Sequence, residues 1–93
     1  MPVTFIIKKG VARYMERNVT LYTQPDCPPC TIVKQFFEHY GVNYQEVDIS
    51  EDQDARLRME QELNSLSTPT VTIGDQVIRG FDIASLSKLL GIE

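Results

Sequence analysis

From Asn18 onward the apolar positions switch between a two-residue rhythm and a three-to-four-residue rhythm. Val19-Thr20-Leu21-Tyr22-Thr23 alternates, is rich in β-branched and aromatic residues, and predicts a strand that ends at the Pro25-Asp26 turn signal. Ile32, Val33, Phe36, Phe37 and Tyr40 recur at helical spacing and predict a helix from Pro28 to about Tyr40, stopped by Gly41. Asn43 to Ile49 reads as a second strand with Tyr44, Val47 and Ile49 as its apolar residues. Ser50-Glu51-Asp52-Gln53 then reads as an N-cap followed by acids, which favour a helix's amino end, with Ser50 as the cap. Ala55, Met59, Leu63 and Leu66 form the inward stripe of that second helix, and Arg56, Arg58, Glu60 and Glu62 its solvated face.

The rest of the chain is shorter in period. Thr70 to Ile73 and Gln76 to Arg79 read as a hairpin turned at Gly74-Asp75. Asp82 caps a last helix from Ile83 to Leu90, with Leu86, Leu89 and Leu90 inward and Gly91 at its end. The order β-α-β-α-β-β-α predicts an α/β domain. One crossover makes two strands parallel, and the hairpin adds antiparallel ones, so a four-stranded mixed sheet with three helices on both faces follows. Residues 1–18 stand apart as a short N-terminal extension, in which Val3 to Ile7 has the pattern of an edge strand and Val11 to Arg17 that of a helical turn. Residues 19–93 make the domain.

Ninety-three residues leave room for one core. Thirteen acids against nine bases give a net charge of −4, and no basic run exceeds Lys8-Lys9, so a nucleic-acid partner is not expected. The longest apolar run near the start, Phe5-Ile6-Ile7, is far too short for a signal or a membrane span. A cytoplasmic monomer is the expectation.

Chemistry enters with the two cysteines, which sit in Cys27-Pro28-Pro29-Cys30. A disulfide-stapled secreted domain would carry more of them, spread along the chain. A tetrahedral zinc site would be one ligand short with His39 and two thiolates, so no metal is expected. Placed at a strand-to-helix junction, residues three apart share a face and lie close enough to form a disulfide. Cys27 then occupies the helix's amino end, where the dipole and free N–H groups stabilise a thiolate, and Cys30 lies one turn inward. Pro28 and Pro29 each remove a donor, leaving the Cys30 N–H as the nearest, and Asp26 adds an unfavourable negative neighbour. Far along the chain, Pro69 opens a strand, a position where a cis bond is a specific feature when it occurs.

Tyr22-Thr23 leading into Cys27-Pro28-Pro29-Cys30, then Tyr44 to Asp48, Thr68-Pro69 and Gly80-Phe81-Asp82, together resemble the glutaredoxin family, including its redoxins that serve ribonucleotide reductase. The match runs from Val19 to the C-terminus. It implies a thioredoxin-like fold and a thiol–disulfide oxidoreductase with no bound cofactor. By the resemblance Cys27 is the attacking cysteine and Cys30 the resolving one. Pro69 matches the cis-proline and Thr68 the residue whose backbone pairs with glutathione or a peptide thiol. Gly80, Phe81, Asp82 and Gln24 complete the implied substrate site, Asp82 receiving the glutathione amino group. Disulfide-bearing proteins are the implied substrates, with glutathione as co-substrate or thioredoxin reductase as the electron source. Four features depart from the pattern: Gln24 replaces a common lysine, Pro28-Pro29 stands where Pro-Tyr is frequent, Arg79-Gly80 replaces paired glycines, and Asp82-Ile83 replaces paired acids. A third class, a module that holds a metal or an iron–sulfur cluster between two chains, would be distinguished by colour or metal content.

Thiolate absorbance of the reduced protein is expected to place Cys27 below an ordinary thiol, yet short of the most acidic redox cysteines. Ionisation at that acidic extreme would mean that the missing proline N–H groups do not matter.

Overall fold

The computed structural model describes residues 18–92, and the two patterns predicted for residues 1–17 lie outside them. Strand β1 (Val19–Thr23) leads into helix α1 (Pro28–His39), and strand β2 (Gln45–Asp48) follows. Helix α2 (Gln53–Leu57) continues as a π-helical turn over Arg58–Glu62. Strands β3 (Thr70–Ile73) and β4 (Gln76–Arg79) and helix α3 (Ile83–Leu90) complete the order. The sheet runs β2-β1-β3-β4, with β1 and β2 parallel and the β1–β3 and β3–β4 pairs antiparallel. This is the mixed, thioredoxin-like architecture expected from the sequence.

Alternation along β1 and β3 sorts the core into two layers. Val19, Leu21, Val71 and Ile73 face α1 and α3, where they bury Val33, Phe37, Leu86 and Leu90. Tyr22 points the other way and joins Ile49, Ala55 and Met59 beneath α2, with Val47 and Leu63 at the margin. Helices therefore cover both faces, and the carboxyl end of β1 is clamped between the layers. Leu89 is half-buried and packs at the edge of the first cluster.

Several local expectations are corrected. Ser50 does not cap α2: its N–H and hydroxyl both donate to Asp48 Oδ1, at 2.9 and 2.6 Å, closing a turn after β2. Asp52 is the cap, accepting from the Ala55 N–H at 3.0 Å. The π turn, marked by Leu63 N–H donating to the Arg58 carbonyl, delivers the chain to Asn64 in the left-handed region at φ +54°. Ser65 N–H then reaches back to the Met59 carbonyl at 3.0 Å, and the helix is over. Leu66 consequently leaves the stripe and is 83% exposed. On α1, Ile32 and Tyr40 are exposed, and the helix ends at His39 with Tyr40 as its C-cap. Strand β2 is shorter than Asn43–Ile49, although Ile49 is buried.

Phe37→Ala is expected to lower stability by about 3–5 kcal/mol, since Phe37 is fully buried and its removal leaves a cavity. Leu66→Ala should stay within about 0.5 kcal/mol. Urea midpoints read both, and equal losses would mean that Leu66 packs against something.

Candidate functional site

The cysteine pair sits where β1 hands over to α1. Thr23 is buried at the strand's end, and Asp26 turns the chain at φ +58°, a conformation that aspartate tolerates better than most side chains. Cys27 is the N-cap of α1, with Pro28 and Pro29 in the first two helical positions. Its carbonyl accepts from the N–H groups of Cys30 and Thr31, at 3.0 and 3.2 Å. The Cys27 Sγ in turn accepts from the Cys30 N–H at 3.2 Å. That is the donor which the two prolines leave in place.

Cys27 and Cys30 are joined as a disulfide, their Cα atoms 5.3 Å apart. Their surroundings differ. Cys30 is 2% exposed, whereas Cys27 keeps an accessible edge. Once reduced, the pair presents one thiol to a partner and hides the other behind it.

The residues predicted far along the chain arrive at this edge to different degrees. Thr68–Pro69 is a cis peptide bond, Pro69 is buried, and the Thr68 hydroxyl donates toward Cys27 Sγ at 3.5 Å. Gly80, at φ +84°, donates its N–H to the Pro69 carbonyl at 2.9 Å, so the end of β4 steadies the proline loop. Gln24 is exposed and lines the cavity beside Cys27. Phe81 is 53% exposed. Asp82 caps α3 and turns its carboxylate back onto its own helix, accepting from the Ser85 N–H at 3.0 Å and hydroxyl at 2.8 Å. Arg79 gives its Nε–H to the Leu63 carbonyl at 2.9 Å.

Lys34 was not singled out from the sequence, and Thr23, Glu46 and Asp48 entered it only as parts of the family pattern. A cavity of about 320 Å³ beside the cysteines is lined by Thr23, Asp26, Lys34, Glu46 and Asp48, among others. Lys34 Nζ and the Thr23 hydroxyl both donate to Glu46 Oε2, at 3.2 and 3.0 Å. Lys34 was within reach of a spacing argument, since it lies seven residues after Cys27 and four after Cys30 on one helix face. Glu46 required the parallel register, which sets it beside Leu21 and two residues before the Thr23–Asp48 pair. The lining carries three carboxylates against one ammonium. Among the described residues no group of three or more His, Cys, Asp or Glu side chains is placed to hold a metal ion. No helix among them is long and apolar enough to cross a membrane.

The hydrogen bonds from Ser85, backbone first and then hydroxyl, hold the Asp82 carboxyl below its ordinary value of 3.8. A lowered folded pKa stabilises above the unfolded value and is lost as pH falls through the folded one. The Ser85 amide resonance should therefore titrate with a midpoint below 3.8. The transition should vanish in Asp82→Asn, and a midpoint at the free-aspartate value would show that the cap is not formed in solution.

With this geometry in place, comparison with known proteins is specific. The Glutaredoxin family profile matches residues 19–78. A glutaredoxin of Neisseria meningitidis serogroup A is 32% identical over 79 residues, which make up 83% of this chain and 93% of that protein. The gene 56 protein of Mycobacterium phage D29 is 36% identical over 59 residues, 63% of this chain and 66% of that one. Among solved structures, a mutant of the thioredoxin-like protein BC3987 superposes with a TM-score of 0.80 at 49% identity, over 82% of this chain and 97% of that one. The chain belongs to the glutaredoxin family of the thioredoxin superfamily, and the Cys27–Cys30 pair is its redox centre.

Proposed function

We propose that the protein is a cytoplasmic dithiol oxidoreductase that reduces disulfides of proteins, or of proteins and glutathione, with Cys27 attacking and Cys30 resolving. The observation that carries this reading is the asymmetry of the pair. Cys27 is accessible, capped by one N–H and contacted by Thr68 of the cis-proline loop, while Cys30 is buried behind it. The Cys27 thiolate attacks a substrate disulfide, the Cys27–substrate bond forms, and the first substrate thiolate leaves. Cys30, deprotonated, then attacks the Cys27 sulfur and releases the second. Two electrons pass from the dithiol to the substrate, the thiol protons end on the products, and the Cys27–Cys30 bond is restored.

A second reading concerns the electron source and is favoured by charge. Glutathione presents two carboxylates. In the cavity lining the ammonium of Lys34 is paired with Glu46, while Arg79, which gives one N–H to the Leu63 carbonyl, is not among the lining residues. Gln24 is neutral, and Ile83 is half-buried against the core where a second acid would stand in the usual pattern. Asp26, Glu46 and Asp48 line the cavity beside Cys27. An anionic tripeptide is thus poorly matched, and a thioredoxin reductase fits better as the reductant.

Cys27→Ser should abolish all turnover. Cys30→Ser should lose dithiol turnover but retain removal of glutathione from a glutathionylated peptide. Loss of both activities in both variants would refute the one-cysteine branch. Oxidised wild-type protein should be reduced faster by thioredoxin reductase with NADPH than by glutathione with glutathione reductase. The reverse order would overturn the charge argument and leave a glutathione-dependent enzyme.

A further inference from the structure

Two hydroxyls lie in the interior where β3 begins, and the thiol chemistry makes no use of them. Thr70 is fully buried and Ser65 is 3% exposed. A hydroxyl taken out of water is costly unless it finds partners. These two lie 2.7 Å from one another. The Ser67 carbonyl oxygen is 2.7 Å from Thr70 Oγ1 and 3.3 Å from Ser65 Oγ. Each hydroxyl has one proton to donate. The shorter contacts give the Thr70 proton to the Ser67 carbonyl and the Ser65 proton to Thr70 Oγ1. The chain of donors ends on the Ser67 oxygen.

That oxygen belongs to the same peptide unit as the Thr68 N–H. In a trans unit C=O and N–H point in opposite directions, and among the described residues only Thr68–Pro69 is cis. Holding the Ser67 oxygen inward on Thr70 therefore aims the Thr68 N–H out of the interior. The Thr68 side chain meanwhile lies against Cys27 Sγ.

We propose that Thr70 and Ser65 are positioning residues whose hydroxyls, acting through the Ser67 carbonyl, aim the Thr68 N–H at the backbone of a substrate segment bound to Cys27. This rests on the oxidoreductase reading above. It selects a substrate class: disulfides whose sulfur is carried by a peptide cysteine with a backbone carbonyl to accept the bond. A small aliphatic disulfide without a peptide unit gains nothing from the device.

The test compares a cysteine-containing peptide disulfide with hydroxyethyl disulfide, both with thioredoxin reductase and NADPH as the electron source, so that no glutathione mixed disulfide forms. Thr70→Val keeps the shape and removes the hydroxyl. It should raise KM for the peptide disulfide about five- to tenfold, the weight of one hydrogen bond, with little change in kcat. Turnover of hydroxyethyl disulfide should be unaffected, and Thr70→Ser should restore the peptide KM. Ser65→Ala should shift KM in the same direction by less, and it keeps the test decisive if the valine variant folds poorly. Equal losses on both disulfides, or no loss on either, would overturn the inference while leaving the oxidoreductase reading intact. A wild-type protein inert toward both disulfides would overturn that reading and this inference with it.

Discussion

The Cys30 N–H donating to the Cys27 sulfur is the contact on which the rest of the site depends. It forms because β1 ends and α1 begins within four residues, so that an N-cap position, two prolines and a buried second cysteine fall in succession. The prolines suit the first helical turn, where an N–H has no intrahelical partner, yet they strip the cap sulfur of donors it would otherwise have. What remains is one backbone donor, the Thr68 hydroxyl at 3.5 Å and the field of the helix. The junction is held firm because Tyr22 is buried on one side of the sheet, and Leu21 and Val33 on the other. Chemistry at a sulfur atom thus rests on ordinary layer packing around one strand.

Most of this architecture was legible from periodicity. Alternation in Val19–Thr23 and three-to-four spacing in Ile83–Leu90 are both strong signals, and the observed elements occupy those spans. The second helix was less so. Ser50 and Asp52 are both good caps, and the choice was made by Asp48, whose carboxylate captures Ser50. Leu66 has the right spacing for the inward stripe, but a π turn and the left-handed Asn64 end the helix before reaching it. A helical rhythm in sequence cannot announce such a break, although an asparagine after the last turn is a hint.

At the site, local features were readable and long-range ones were not. The cysteines and Pro69 stand out by type and position, and the structure joins their neighbourhoods through Thr68. Glu46, Thr23 and Lys34 come together only through strand register and helix phase, which a single sequence leaves open. Ser65 carries no signal in the sequence and Thr70 reads only as the start of a strand, yet the two prove to be buried partners. Asp82 shows how one residue type supports two readings. It is a helix cap by geometry, with both oxygens on Ser85, and it remains exposed at the surface.

The central claim is that the fold makes the two cysteines unequal, one presented and one withheld. Brief alkylation of the fully reduced native protein with iodoacetamide, mapped by peptide mass spectrometry, tests it most directly. The account predicts that Cys27 is modified first and that Cys30 stays unmodified until the protein is unfolded. Equal labelling of both, or earlier labelling of Cys30, would contradict it.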